Sequence, residues 1–371
     1  MIKREDRTSH WGRAVVDKGV AEFVAALLIY SAFAVYLYRP YFKGFDRWQY
    51  LLVVNASLAS SGCYLLSRRW VVGFAESFLA GAIYGFGPFT LGLAKFHPAA
   101  GFLVAAIPWL FCPAAFGPKA KWRSLRVPLA ALPFLAILLF FQISARFGLY
   151  PIPIRLKLHF ADLGHMLAPL VAARRQTTLV GFYHVPIAPL IMGIAMFMAP
   201  LKLLGTGGIA QRVKSTAALA TRRFGIIAIF AGGTLLAFCD SYLDISPVIF
   251  FAISTLFCSI LAGAGMQALV WAGPADRKWL LLTSILMGIF AVVALLLATE
   301  YFQSFLGTTD AYALLLTESG KMYLLGAIAL AILFFMARAK LRLRPIRLAL
   351  LWAPIAIDFF LGATEIVDKT L

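Results

Sequence analysis

The stretch Trp279-Leu-Leu-Leu-Thr-Ser-Ile-Leu-Met-Gly-Ile-Phe-Ala-Val-Val-Ala-Leu-Leu-Leu-Ala-Thr299 contains no charged residue, and it is bracketed by Arg277-Lys278 before it and Glu300 after it. A helix of this length rises about 30 Å, the thickness of a bilayer's hydrocarbon core. It reads as a membrane span. Outward from it the same reading recurs at 20–38, 50–67, 70–93, 99–117, 127–145, 180–201, 224–243, 247–271, 321–337 and 347–363, which makes about eleven spans in all. A backbone in lipid must satisfy its own hydrogen bonds, and these Ala, Leu, Phe and Ile runs have helical length rather than the alternation of a barrel. The expected fold class is therefore all-α, a polytopic integral membrane helical bundle forming a single membrane domain over 1–371.

Most of the 34 basic residues fall on alternate loops. They lie at Lys3 to Lys18, Arg68-Arg69, Lys119 to Arg126, Lys202 to Arg223, Arg277-Lys278 and Arg338 to Arg347. Lys and Arg are retained on the cytoplasmic side, so the N-terminus is expected in the cytoplasm and the C-terminus outside, in an inner (plasma) membrane. Residues 1–19 then form a cytoplasmic N-terminal segment leading into a retained first helix, with no cleavable signal peptide expected. The net charge of +18 is explained by this topology and by contact with anionic lipid headgroups, so membrane lipids are expected partners and nucleic acid is not. Cys63, Cys112, Cys239 and Cys258 fall in spans without CxxC spacing. They read as small core residues rather than as disulfides or metal ligands.

Two loops are long. The basic loop 202–223 on the cytoplasmic side contains Gly205-Thr206-Gly207-Gly208, but it has neither the GxxxxGK[ST] pattern nor a preceding strand, so it is no phosphate loop. The outer loop 146–179 departs from the charge rule, since Arg146, Arg155, Lys157, Arg174 and Arg175 outnumber Asp162. Within it Leu156, Phe160, Leu163, Leu167 and Leu170 recur at helical spacing, and His159, Asp162 and His165 share one arc, as on an amphipathic helix lying in the interface. Its arginines suit a lipid phosphate, or equally simple headgroup contact. His159, Asp162 and His165 have the ligand types for a metal without a recognised spacing. Four of the five histidines, His97, His159, His165 and His184, map to the outer side or the outer end of a span.

Two acids lie within spans, Glu76 in the third and Asp358 in the last. Each reads as a proton carrier or as the partner of a Lys or Arg on a neighbouring helix. The Gly and Pro breaks at Gly85-Phe-Gly-Pro88, Pro108 to Pro113 and Pro186 to Pro189 read as bends or as broken helices of transporter type.

The stretch Leu65-Leu-Ser-Arg-Arg-Trp70, then Gly81-Ala-Ile-Tyr-Gly-Phe-Gly-Pro-Phe89, His97-Pro98 and Pro108-Trp109 resembles the early helices of lipid-carrier-dependent glycosyltransferases of the GT-C fold, in particular bacterial YfhO-like members. The resemblance covers residues 39–126. It implies transfer of a sugar from a polyprenyl-phosphate carrier at the outer face, with Asp46 of Gly44-Phe-Asp-Arg-Trp48 as general base or as part of a divalent-cation site. It also implies that the carrier phosphate lies against outer-face arginines such as Arg47, Arg155 or Arg174, so the expected binding set is Arg47, His97, Arg155, His159, Asp162, His165, Arg174 and Arg175. Two other classes compete with the transferase. A lipid or small-solute transporter or flippase requires Glu76 or Asp358 to line a polar path, and a non-catalytic subunit or scaffold requires both acids to be paired off.

Overall fold

The computed structural model describes residues 5–47, 49–93, 98–116, 181–198, 230–239, 247–274, 276–300, 310–341 and 343–371, with residue 304 and a few positions in 132–143. All regular structure among them is helical. The principal helices are α1 (Glu5–Tyr38, running into a 3-10 turn Arg39–Gly44), α2 (Tyr50–Ser67), α3 (Phe74–Gly85), α4 (Pro88–Leu93) and α5 (Pro98–Phe116). They are followed by α6 (Ile187–Met198), α7 (Phe251–Trp271), α8 (Arg277–Leu297), α9 (Asp310–Arg338) and α10 (Arg344–Thr370). A further helical stretch covers 230–238.

Six helical segments among the described residues are long and apolar enough to cross a bilayer: Gly19–Gly44, Tyr50–Ser67, Val248–Trp271, Arg277–Leu297, Tyr312–Arg338 and Arg344–Lys369. What they expose agrees with that length. Helix α8 presents Leu281, Leu282, Ile285, Ile289, Val292 and Val293 outward while Thr283 is buried. Helix α2 buries Asn55, Ser57, Ser60, Ser61 and Ser67 and exposes Val54. Apolar side chains turned outward along a helix, with hydroxyl and amide side chains turned inward, suit a hydrocarbon solvent, where packing and interhelical hydrogen bonds replace the hydrophobic effect. The chain is an all-helical, multi-pass membrane protein.

The region expected as one span over 70–93 is instead two helices. After α2 the chain turns at Arg68–Trp70 and runs non-helically to Gly73; α3 then stops at Gly85, and α4 starts at Pro88. Pro88 lacks an N–H and cannot continue the ladder of α3, but it fits the first turn of a new helix. The carbonyl of Phe86 left open by this break accepts the hydroxyl of Tyr183 at 2.7 Å.

Close approach between helices is set by small residues. Gly81 and Gly85, one helical turn apart on α3, lie against the α2 backbone: a Cβ on Gly81 would come within 2.5 Å of the Ser60 carbonyl, and one on Gly85 within 2.6 Å of the Ala56 carbonyl. The Gly81-Ala-Ile-Tyr-Gly85 segment is thus a helix-packing element of the GxxxG kind. Helices α2 and α3 run antiparallel in this contact, as do α8 and α9, where Ser284 donates to the Ala327 carbonyl at 2.9 Å. Gly193 of α6 and Gly265 of α7 bring those two backbones together in the same way.

One end of the bundle gathers the basic turns. Arg68 at the end of α2 pairs with Glu22 of α1 at 2.8 Å, and Val72 N–H donates to the Gln267 side chain of α7 at 3.0 Å. Arg347 at the start of α10 is buried and donates to the carbonyls of Ala272 at 2.5 Å and Leu341 at 2.6 Å. It thereby supplies donors to the end of α7 and the turn after α9, carbonyls that a helix leaves unsatisfied. That turn is a Schellman closure, with Leu341 N–H on the Met336 carbonyl at 2.9 Å and Lys340 N–H on the Ala337 carbonyl at 3.2 Å. Its left-handed position is held by Lys340, at φ 56°.

Two substitutions check this packing. Gly265→Leu should cost about 2 kcal/mol or more, because the side chain would meet the Pro189–Gly193 backbone rather than a movable side chain. Lys340→Gly should stabilise by about 1 kcal/mol, since glycine adopts the left-handed position without a Cβ penalty. Unfolding of the purified protein in mixed micelles measures both.

Candidate functional site: two carboxylates at helix starts

Asp358 lies about halfway along α10 and is 2 % exposed. One carboxylate oxygen lies 2.8 Å from His184 Nδ1, and the other accepts the backbone N–H of Val185 at 2.6 Å. The sequence places His184 and Val185 just before Pro186, in a non-helical stretch that leads into α6. Gly181 opens that stretch at φ 144°, a conformation that excludes side chains. Amides at a helix start have no partner within their own helix, and lipid provides none, so the carboxylate performs the capping role from a neighbouring helix. Its negative charge also faces the positive end of the α6 dipole.

His184 is itself buried, at 1 % exposure. Its ring stands edge-on to Tyr323 of α9, with centroids 5.0 Å apart. Tyr183 next to it packs on Phe359 and on Gly362, where any Cβ would collide with the tyrosine ring. A carboxylate accepts but cannot donate, so with Asp358 ionised Nδ1 is the donor of this contact, and in the neutral imidazole Nε2 then presents a lone pair. That Nε2 is buried and has no hydrogen-bond partner among the described residues. Leaving such an atom unsatisfied costs on the order of 1–3 kcal/mol, which makes it a feature to explain rather than an ordinary packing detail.

Glu76 occupies an analogous place at the start of α3. It is in the first turn of the helix, is fully buried, and folds its carboxylate back over Gly73. Oε1 lies 3.5 Å from Arg344 Nη2, while Oε2 is buried without a hydrogen-bond partner among the described residues. Arg344 is about half exposed, and its guanidinium sits 4.9 Å from the centre of the Trp271 ring. Along α10, Arg344 and Asp358 are about 21 Å apart at 1.5 Å per residue, so the two carboxylates mark the basic end and the middle of one bundle.

The set of residues expected at the outer face is only partly in view. Asp46 and Arg47 are exposed in the short connection between α1 and α2, and Asp46 N–H is held by the Gln49 side chain at 2.9 Å. His97, Arg155, His159, Asp162, His165, Arg174 and Arg175 lie outside the described residues, as do the loops 146–179 and 202–223. Among the described residues no three His, Cys, Asp or Glu side chains gather as a metal-holding group, at Asp46 or elsewhere. The cysteines are free, and Cys239 is exposed, whereas Cys63 is buried as expected.

Both intramembrane acids are partnered, Glu76 by an arginine and Asp358 by a histidine. The expectation for each acid was a proton carrier or the partner of a Lys or Arg; Asp358 has a histidine partner instead, and His184 read as a residue of the outer side or outer end of a span. Pro186 and Pro189 mark the broken entry to α6, and Asp358 shares a helix face with Arg347 three turns earlier; these were the signals in the sequence, but no spacing rule links positions 184 and 358. No family model matches the chain, and neither does any curated protein or solved structure.

Removing the carboxylate strands two donors at once. Asp358→Ala should therefore destabilise the protein by about 3 kcal/mol, and Asp358→Asn, whose amide oxygen can still accept from Val185, by clearly less. Equal stability of Asp358→Ala and the unsubstituted protein in micelle unfolding would show that the carboxylate is not the cap described here.

Proposed function

We propose that this protein is a proton-linked membrane transporter in which the His184–Asp358 pair is the group that takes up and releases the proton. The observation that carries the reading is a titratable pair buried within the bundle, with the imidazole Nε2 unpartnered. Intramembrane His and Asp residues are costly and concentrate on ion and substrate pathways. Uptake of a proton at Nε2 converts the neutral imidazole to imidazolium beside the Asp358 carboxylate. The titratable groups around it are the Asp358 carboxyl from α10 and the neutral phenols of Tyr183 and Tyr323, with Tyr38 of α1 beyond Tyr183. The interrupted segments at 86–87 and 181–186 add support, since transporter sites form where helices break within the membrane.

We further propose eleven crossings, with the N-terminus in the cytoplasm and the C-terminus outside. The gathering of Arg68, Arg69, Lys340, Arg344 and Arg347 at one end of the bundle supports this sidedness.

An outer-face transferase is the second reading. It draws on the exposure of Asp46 and Arg47 side by side in the connection between two spans, where an acceptor hydroxyl could meet a carboxylate base and a carrier phosphate an arginine.

The full chain in proteoliposomes on a solid-supported membrane tests the first reading. An acid step across the range in which imidazoles titrate should give a transient proton current, and His184→Gln and Asp358→Asn should each reduce it at least tenfold. Currents that persist unchanged in both variants would exclude the pair as the proton site. The second reading expects release of sugar from a polyprenyl-phosphate-linked donor, lost in Asp46→Asn and unaffected by His184→Gln. If neither activity occurs, a helical scaffold remains, a role for which the partnering of both acids is sufficient.

A further inference from the structure

At the basic end of the bundle a groove of about 320 Å³ opens between Trp70, Met196, Ala264, Gln267, Ala268 and Trp271. Its floor is apolar, built by the half-buried Ala264 and Ala268, one turn apart on α7, with exposed Met196 of α6 beside them. Its rim is two exposed tryptophans, the residue that settles at the boundary between acyl chains and headgroups. Cations stand at that rim. The guanidinium of Arg344 lies over the Trp271 ring, and exposed Arg69 immediately precedes Trp70.

Acids near the rim offset these charges only in part. Glu22 is engaged by Arg68 and the buried Glu76 pairs with Arg344 at 3.5 Å, while Asp276 accepts Gly273 N–H and is followed by Arg277 and Lys278, so Arg69 and the half-exposed face of Arg344 are the cations of the rim. The Gln267 side-chain oxygen is taken by Val72 N–H, which turns its amide nitrogen into a further donor at the groove. A lipid-facing groove with an apolar floor, aromatic rim and excess arginine is complementary to one occupant, a lipid with a negatively charged phosphate headgroup.

We propose that this groove is a binding site for an anionic glycerophospholipid, its phosphodiester held by Arg344 and Arg69 and one acyl chain laid over Ala264, Ala268 and Met196. The site is independent of the His184–Asp358 pair and stands or falls separately from the transport reading.

Native mass spectrometry of the delipidated full chain tests it, with phosphatidylglycerol and phosphatidylcholine of matched chains as probes. Phosphatidylglycerol should be retained at least about fivefold over phosphatidylcholine, and Arg69→Gln should remove most of that preference. Ala268→Phe, which fills the floor without altering charge, should reduce retention of phosphatidylglycerol severalfold. Arg69 is exposed and makes no buried ion pair, so its variant keeps the test sound even if the Ala268 variant folds poorly. Equal retention of the two lipids, or undiminished preference in Arg69→Gln, overturns the proposal. Displacement of the lipid by millimolar inorganic phosphate also overturns it, because the site would then recognise a free anion.

Discussion

Inside a bilayer a backbone amide released from a helix must find its partner within the protein, and at Val185 that partner is the carboxylate of Asp358. This contact belongs to a wider arrangement centred on α10. From its start to its end, that helix sends Arg344 to Glu76 of α3, Arg347 to the carbonyls closing α7 and α9, Asp358 to the entry of α6, and Asp368 to the hydroxyl of Tyr41 after α1. Each of these polar side chains meets a place where a helix starts, stops or breaks. Regular helices need no such help, because their peptide groups are satisfied internally. The polar residues of the last helix are therefore placed by the irregularities of its neighbours.

The two breaks compensate one another. Pro88, lacking an N–H, cannot serve the Tyr84 carbonyl, which accepts the Thr90 hydroxyl at 2.5 Å; the break leaves the Phe86 carbonyl open, and the proline-marked entry to α6 leaves the Val185 amide open. Adjacent residues resolve both: Tyr183 donates to Phe86, and Asp358, held against His184, accepts from Val185. Gly362 makes room for the Tyr183 ring on α10, so one small residue permits the ring to reach across and a carboxylate one turn earlier fixes the loop. Neither broken segment would be tolerated in hydrocarbon without the other elements packed around it.

The helical class and the positions of many helices were legible from hydropathy alone, because a bilayer imposes length and excludes unpaired backbone. The uncharged run 279–299 matches α8, and the run 50–67 coincides with α2. The division of 70–93 was only half legible. Pro88 announces a stop, but the non-helical approach to Gly73 depends on Glu76 folding back over a glycine and on Gln267 of a distant helix receiving Val72 N–H. The His184–Asp358 pair was illegible for a related reason. Histidine near a span end is equally at home in water, and only the contacts of the stretch before α6 with Asp358 of α10 and Tyr323 of α9 decide that this one is buried. Glycine spacing on α3 could be read in two ways, as a mark of family resemblance or as a packing face. Its contact with the α2 backbone accounts for it as packing.

Asp358 links the protonation state of the pair to the shape of the chain. While it is a carboxylate it accepts from both His184 and Val185 and faces the start of α6. A proton arriving at His184 Nε2 strengthens the first of these into an ion pair and leaves the cap on Val185 in place. A proton arriving at Asp358 instead removes an acceptor, weakens the compensation of the helix dipole and loosens the turn at 181–186, which Gly181 already holds in a conformation closed to side chains. The two protonated states thus differ in backbone restraint as well as in charge. In the proposed transporter, the helix that carries Asp358 is also the one that closes the starts and ends of α3, α7 and α9, so a change in restraint at the entry of α6 would act on an element shared by the whole bundle. A proton-linked motion would need this coupling, and a rigid scaffold would not.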